Sequence, residues 1–382
     1  MSESASLRID RIDLVHLRIP LKEPFRISGG AVSEKDAILV RIEAGGVVGY
    51  GESSPMAAGF GYSSDTPEGC WDELVREICP RLVGQRIDAL AGATALVHSM
   101  PGSNFAKTGA ETALWDLWGK SVGKPLAALL GGVRDRVESG LAVGLYATTE
   151  ELLDRIAQHM PDGYRRLKIK IKPGADVRLV AAVRERFGDI PLFVDANAAY
   201  TASDIPIFRE LDRFRLMMFE QPFATDDWDG LARLQREVET PLCVDESAKS
   251  AATTAELIRR GCCKIVNIKI QRVGGLCPAL EIHDLCRQAG IPCWVGTMPE
   301  LGVGQAQGVH LAALANCTFP TDIEPSLRLF VDDYTEPPIE MDKQGMISVP
   351  SGPGLGYEVS LTKVAKYRVA EASIGRHRPT QA

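Results

Sequence analysis

The sequence lacks a long apolar run, an excess of basic residues and the cysteine spacing of a zinc site. No apolar stretch approaches the roughly 20 residues that a membrane helix needs, so we expect no membrane partner. Lys and Arg number 43 against 50 Asp and Glu, which gives a net charge of −7 over 382 residues. Because nucleic-acid binders need a basic face, this balance argues against a nucleic-acid partner.

The nine cysteines are odd in number, include the adjacent Cys262 and Cys263, and form no Cys-x-x-Cys pair. This pattern favours reduced, buried thiols over a disulfide framework. The N-terminal Met1–Ser6 has neither a basic region nor an apolar region after it, which argues against a signal peptide. We therefore expect a cytoplasmic protein.

Short apolar runs recur at regular intervals between about residues 137 and 322. Successive runs are centred or end near residues 170, 195, 220, 245 and 269, about 25 residues apart, which is roughly the length of a strand, a helix and two loops. Eight such runs predict an α/β fold, a (β/α)8 TIM-like barrel. The predicted strands are Gly140–Tyr146, Arg166–Ile171, Leu192–Ala196, Met217–Glu220, Leu242–Asp245, Ile265–Ile270, Cys293–Gly296 and Phe319–Ile323.

The flanking residues have a different pattern. Strand-like runs at Ile12–Ile19 and Ala37–Ile42, a hairpin through Val47–Glu52 and then helical stretches predict an α+β unit. We predict three parts, in which the last returns to the first: an α+β capping domain over 1–125, a catalytic barrel over 126–324 and a C-terminal segment over 325–382.

Three consecutive predicted strands end in a carboxylate at equivalent positions, Asp195, Glu220 and Asp245. The C-terminal strand ends of such a barrel form the active site. Three carboxylates aimed at one point repel each other unless a hard cation lies between them, and oxygen ligation suits Mg²⁺, with Mn²⁺ as an alternative. We predict a metal site with Asn197 and Glu246 beside it. The alternative is that the carboxylates cap helices or pair with lysines.

Lysines alternate along two of the strands. Lys168, Lys170 and Lys172 share one face of the second strand, and Lys269 lies on the equivalent face of the sixth. The opposite, apolar face must meet the helices, so the lysines are expected to point into the barrel. A lysine titrates near ~10.4, but neighbouring cations lower that pKa and free the amine as a base. Lysines on both sides of a metal suit removal of a proton from carbon beside a carboxylate.

These residues resemble the enolase superfamily, muconate-lactonizing-enzyme subgroup, over almost the whole chain. Lys168-Ile169-Lys170 is similar to the family's Lys-x-Lys motif. The resemblance implies that Lys170 and Lys269 are the acid/base pair, that Lys168 is a supporting cation, and that the protein is a homo-oligomer. It also implies that the metal ligands are Asp195, Glu220 and Asp245.

Within the subgroup, Val266–Lys269 and Arg272–Gly275 resemble the o-succinylbenzoate synthase and N-succinylamino acid racemase family. The resemblance implies removal of a proton α to a carboxylate of a small substrate, through an enolate, with racemisation or elimination as the outcome. One segment departs from the racemase pattern. There, Asp322-x-Glu324 is similar in charge to the Asp-x-Asp with which dipeptide epimerases hold a substrate ammonium. Muconate cycloisomerase and dipeptide epimerase remain alternatives, and a Schiff-base aldolase or a non-catalytic binding protein is more remote.

The loop after the Val47–Glu52 hairpin resembles a capping loop that closes over a substrate, and its run 57–61 is predicted to allow movement. We expect Glu300 to orient Lys269 or to contact the substrate. The alternative for each predicted wall residue is that it belongs to the hydrophobic core. The predicted pocket walls and substrate contacts are Phe25, Met56, Phe60, Tyr62, Met298, Glu300, Asp322 and Glu324.

Overall fold

An antiparallel sheet opens the chain in the computed structural model, which describes residues 6–27, 29–57, 60 and 62–375. Strands β1 (Leu7–Ile27), β2 (Gly30–Ala44) and β3 (Val47–Ser53) pair in chain order, and β4 (Arg86–Ile87) pairs with β1. A π-helical stretch, Leu74–Ile78, joins the first two helices. The helices of this part are α1 (Pro67–Glu73), α2 (Cys79–Leu82), α3 (Leu90–Ser99), α4 (Asn104–Ser121) and α5 (Leu126–Leu130).

Helix α4 packs directly on β2 and β3. The alternating residues Leu14 and Val40, which face each other across β1 and β2, are fully buried with Leu114 in one apolar cluster. Two glycines allow the close approach: a Cβ on Gly51 would lie 2.1 Å from the carbonyl oxygen of Gly109. This packing fixes the end of β3, from which the capping loop departs.

Seven parallel strands curl into the second sheet, after the short strand β5 (Arg136–Glu138), in the order β12-β11-β10-β9-β8-β7-β6. Strand connections by helices bury both faces, so the strands are short apolar runs. The strands are β6 (Leu141–Val143), β7 (Leu167–Lys170), β8 (Leu192–Asp195), β9 (Phe219–Glu220), β10 (Leu242–Val244), β11 (Ile265–Ile268) and β12 (Cys293–Val295).

The predicted eighth strand, Phe319–Ile323, forms one bridge, from Thr321 to Ser139, rather than a ladder, yet it closes the sheet. The Thr321 N–H donates to the carbonyl of Glu138 (2.8 Å), and the Gly140 N–H donates to the carbonyl of Thr321 (2.9 Å). On the other side, the Asp322 N–H donates to the carbonyl of Val295 (3.1 Å). The predicted TIM-like barrel with an α+β cap is therefore confirmed.

Helices cover the outside of the barrel. A capping box starts the first of them, because Thr148 Oγ1 accepts from the Glu151 N–H and the Glu151 carboxylate accepts from the Thr148 N–H. Single 3₁₀ turns occur at Met160–Asp162 and Ala202–Asp204. The helices are α6 (Thr149–His159), α7 (Val177–Phe187), α8 (Ile205–Asp212), α9 (Trp228–Glu237), α10 (Ala251–Arg259), α11 (Ile270–Val273), α12 (Leu276–Gln288) and α13 (Gly302–Ala312).

The C-terminal residues return to both earlier parts. The last strand, β16 (Arg368–Gly375), pairs antiparallel with β1, and β14 (Met346–Ser348) pairs with β5. The elements are α14 (Ser326–Leu329), β13 (Thr335–Glu336), β14 (Met346–Ser348), β15 (Glu358–Val359), α15 (Leu361–Tyr367) and β16 (Arg368–Gly375). Among the described residues, none of the helices has the length and hydropathy to cross a membrane. The domain limits at 125 and 324 stay predictions.

His310 on α13 ties three segments together and makes the fold sensitive to acid. Its Nδ1 accepts from the Ala127 N–H (3.1 Å), its Nε2 donates to the Leu355 carbonyl (3.0 Å), and burial lowers its pKa to about 4. Unfolded histidine titrates at ~6.5, so the unfolded chain binds the proton first, and we expect the free energy of unfolding to fall by up to about 3 kcal/mol between pH 6.5 and 4. Urea unfolding should show a shallower acid loss in His310→Asn; an unchanged pH slope would contradict this.

Candidate active site

The predicted chemical residues lie at the C-terminal ends of neighbouring barrel strands. Strand β7 supplies two lysines, β8 and β9 end in one carboxylate each, and one further acid and one lysine come directly after β10 and β11. All are buried. In that order these residues are Lys168, Lys170, Asp195, Glu220, Asp245 and Lys269.

Lys168 is a cation that three buried carboxylates share, two of them from this set and the third from Asp322. Its Nζ lies 3.0 Å from Asp195 Oδ2, 2.7 Å from Glu220 Oε2 and 3.0 Å from Asp322 Oδ2. Burial opposes its charge, but these carboxylates outweigh burial and raise the pKa of Lys168 well above its usual value. Below it, the rings of Phe193 and Trp294 fill the barrel, with their centroids 5.7 and 5.3 Å from Nζ.

Lys269 faces β7 from the other side of the barrel. Its Nζ lies 3.0 Å from Asp245 Oδ2 and 4.3 Å from the centre of the Tyr62 ring. Burial disfavours the ammonium, but Asp245 reverses that effect and raises the pKa of Lys269. Arg272 also pairs with Asp245, and the Tyr62 hydroxyl donates to Asp245 Oδ1 (3.2 Å). On the near side, Lys170 Nζ donates to Asp195 Oδ2 at 2.6 Å.

The side-chain amides of Gln and Asn residues at the strand ends form hydrogen bonds with the acidic residues. The fully buried Gln221 (φ +38°) accepts from the Asp245 N–H through its side-chain oxygen (3.0 Å). Asn197 (φ +42°) donates from Nδ2 to Glu246 Oε1 (3.1 Å), and Asn267 Nδ2 donates to Glu220 Oε1 (2.8 Å). Left-handed backbone is costly for residues other than glycine, so the turns at Gln221 and Asn197 are held by their surroundings.

One cavity of about 50 Å³ collects most of the predicted residues, and an adjoining cleft of about 430 Å³ reaches Glu246 and Arg272. Arg328 and Leu329 also line the cavity, although sequence reasoning missed them. Ala58, Gly59 and Gly61 of the predicted mobile run lie outside the described residues. The predicted residues lining the cavity are Phe25, Phe60, Tyr62, Lys168, Lys170, Asn197, Lys269, Met298, Asp322 and Glu324.

Asp195, Glu220 and Asp245 are buried among the lysines and do not line the cavity, and three further predicted residues lie elsewhere. Met56 is buried in the apolar cluster of the cap. Glu300 accepts from the Met298 N–H (2.9 Å) and faces Lys35, and burial raises the pKa of Glu300 to about 7. The expectation that Lys172 points into the barrel is wrong, because β7 ends at Lys170 and the side chain of Lys172 is exposed in the turn after it.

The two acids of the Asp322-x-Glu324 motif are engaged by internal cations. Asp322 pairs with Lys168 and with Arg166, a 2% exposed residue that sequence reasoning missed. Glu324 pairs with Arg328 and accepts from the Ala142 N–H (3.0 Å). Both carboxylates are thus neutralised within the protein.

The donor chemistry fits a hard divalent cation. In the part of the chain that the structure describes, no three acidic, histidine or cysteine side chains converge as a ligand set, because lysines and Arg272 pair with the carboxylates. Buried oxygens are nevertheless left over: Glu246 Oε2, Asn197 Oδ1 and Asn267 Oδ1 receive no hydrogen bond from the described residues. Carboxylate and amide oxygens around one strand-end layer are the ligands that Mg²⁺ and Mn²⁺ take.

Sequence families match almost the whole chain. Residues 11–131 match the mandelate racemase / muconate lactonizing enzyme N-terminal domain, and residues 151–363 match the enolase C-terminal domain-like family. The chain belongs to the enolase superfamily. It is therefore related to enzymes that include racemases, lyases and muconate lactonizing enzymes.

Two characterised groups are represented among its relatives. The chain is 40% identical to an o-succinylbenzoate synthase of Geobacillus kaustophilus over 95% of this chain and 96% of that one. It is 41% identical to an N-succinylamino acid racemase of Amycolatopsis sp over 92% and 95%.

Solved structures agree with the fold. A superfamily member from Listeria innocua superposes with a TM-score of 0.91 at 33% identity, over 96% of this chain and 99% of that one. A dipeptide epimerase of Cytophaga hutchinsonii, solved with Mg and a dipeptide, superposes with a TM-score of 0.89 at 25% identity, over 96% and 100%. Superfamily membership implies a divalent metal.

Lys168→Met tests the shared cation. The substitution leaves three buried carboxylates without it, so we expect the free energy of unfolding in EDTA to fall by about 3 kcal/mol or more. Urea denaturation measures the loss. Lys170→Met is the matched control, since it removes one contact to Asp195 and keeps Lys168. An equal loss in the two variants would show that Lys168 is not the shared cation.

Proposed function

We propose that this enzyme removes a proton α to the carboxylate of a small substrate, through an enolate, as an N-succinylamino acid racemase or an o-succinylbenzoate synthase-like enzyme. One observation carries the proposal: Lys170 and Lys269 line the same cavity from opposite sides of the barrel, and each contacts a strand-end carboxylate, Asp195 and Asp245 respectively. The names of the relatives at 40 and 41% identity support this substrate class.

Asp195, Glu220 and Asp245 are proposed to hold the metal, Mg²⁺ or Mn²⁺. When bound, a divalent metal supplies positive charge that stabilises the developing negative charge on the substrate carboxylate. In the described arrangement the carboxylates keep Lys168 and Lys269 charged. With those carboxylates engaged by a metal, burial favours the neutral amine that a general base requires.

The two lysines would then have interchangeable roles. For racemisation, Lys170 takes the α-proton from one face of the carbon and Lys269 returns a proton to the other, or the reverse. For elimination, one lysine suffices as the proton shuttle and the other acts as a cation. Lys168 also lines the cavity and keeps its charge through Asp322, which is not a proposed metal ligand.

The structure disfavours the dipeptide epimerase alternative. A substrate ammonium would have to compete with Arg166 and Lys168 for Asp322, and with Arg328 for Glu324. A pocket whose acids are neutralised suits an acylated, uncharged amine better than a free ammonium. A homo-oligomeric state and a cytoplasmic location stay predictions.

Exchange of the substrate α-proton in D₂O tests the metal. We expect N-succinyl amino acids to exchange with Mg²⁺, to stop exchanging in EDTA and to resume when Mg²⁺ is restored, as followed by NMR. Asp245→Asn should abolish exchange in a folded protein because it removes one proposed ligand. Full exchange in EDTA-treated Asp245→Asn would refute the metal site.

Removing either base tests the two-lysine mechanism. Lys170→Ala and Lys269→Ala should each slow racemisation by about 10² to 10⁴-fold, the usual contribution of a general acid or base. Each variant should still exchange the α-proton of one enantiomer, and the two variants should favour opposite enantiomers. Polarimetry follows racemisation, and NMR follows exchange of the α-proton. Racemisation at the normal rate in either variant would contradict the mechanism.

A further inference from the structure

A buried lysine outside the catalytic group joins the cap to the barrel. Lys35 on β2 is 1% exposed. Its Nζ donates to the carbonyls of Ser54 (3.0 Å) and Pro55 (3.2 Å) in the capping loop, and to the carbonyl of Met298 (2.9 Å) after β12. Nζ also lies 3.3 Å from Met56 Sδ, so four acceptors surround the three donors of the ammonium.

Met298 is the cavity wall that Lys35 holds. Its carbonyl accepts from Lys35, and its N–H donates to Glu300 Oε2 (2.9 Å), so both polar groups of this residue are fixed. Its side chain lines the cavity and packs in one cluster with Met56 and Phe60. The position of this wall therefore depends on Lys35 and Glu300.

A second set of bonds ties the same cap segment to the barrel. Gln271, two residues after Lys269, accepts from the Ser54 N–H (2.9 Å) and donates to the Glu52 carbonyl (2.9 Å). The Glu52 carboxylate accepts from the N–H groups of Leu301 (2.9 Å) and Gly304 (3.0 Å). The cap segment is thus bonded both to α11, which follows β11, and to the start of α13, which follows β12.

Stability alone does not explain a lysine in this place. Burial lowers the pKa of Lys35 to about 8, against the opposing effect of Glu300, Glu52, Asp36 and, more weakly, Cys70. A well-packed apolar side chain of similar size is often as stabilising as a buried charge, or more so. What the ammonium adds is three directional bonds to two separate loops.

We propose that Lys35 is a positioning residue that locks the capping loop and the Met298 wall together and thereby sets how tightly the substrate fits. The proposal rests on the proposed function of the same cavity. Lys35 does not contact the catalytic lysines, so its role is in binding rather than in proton transfer.

Steady-state kinetics of Lys35 variants measure this role. We expect Lys35→Met to raise KM about tenfold with kcat within about threefold of wild type, the size of effect that losing hydrogen bonds to a charged group produces. Lys35→Arg keeps the charge and donors and should recover most of the affinity. Lys264→Met, at an exposed lysine, is the control. A KM in Lys35→Met equal to wild type would overturn the proposal, as would an equal loss in Lys35→Arg.

Hydrogen exchange separates this proposal from the proposed function. Without substrate, peptides covering residues 52–57 and 296–301 should exchange faster in Lys35→Met than in wild type, while barrel peptides stay unchanged. Should Lys35→Met fail to fold, Lys35→Gln, which is neutral with two N–H donors, replaces it. If wild type is inactive on the proposed substrates but the loop peptides exchange faster in Lys35→Met, the proposed substrates are wrong and the positioning role of Lys35 stands. If hydrogen exchange of these peptides is unchanged in Lys35→Met, the positioning role of Lys35 is wrong.

Discussion

The balance between buried lysines and buried carboxylates is the constraint on which the barrel interior depends. Lys168 is placed among Asp195, Glu220 and Asp322, and each of these ions would be costly to bury alone. Lys170 pairs with Asp195 and Arg166 with Asp322, so three cations balance three carboxylates above the apolar floor of Phe193 and Trp294. A site rich in charge can therefore be buried and fixed in geometry, which favours strong electrostatic effects on a reacting substrate.

The cap completes this layer by backbone contacts. Gly51 lets α4 approach β3, and the loop after β3 is held to the barrel by Gln271, Glu52 and Lys35. Side chains of both parts, such as Tyr62 and Met298, consequently line one cavity. The cavity above the charged layer is therefore walled by the cap and the barrel together.

Much of this arrangement could be predicted because it depends on spacing. The 25-residue step predicts the barrel, and the two-residue period places Lys168, Lys170 and Lys269 inward, since a strand must present its apolar face to helices. The two-residue alternation of side chains stops where β7 ends, at Lys170, which is why Lys172 is exposed. Lys35 and Arg166 could not be assigned, because their partners lie in loops far away along the chain.

The separation of charged layer and cap also explains why relatives in one superfamily carry different names. Racemisation and elimination begin with the same loss of an α-proton, so one pair of lysines can serve both. Under the proposed function, the fate of the enolate depends on how the remainder of the substrate is held, and the cavity walls available for that are Phe25, Met298 and the neutralised Glu324–Arg328 pair. These wall residues come from three different segments of the chain. Under the proposed function, a change in these walls redirects the reaction without disturbing the buried charges that make it possible.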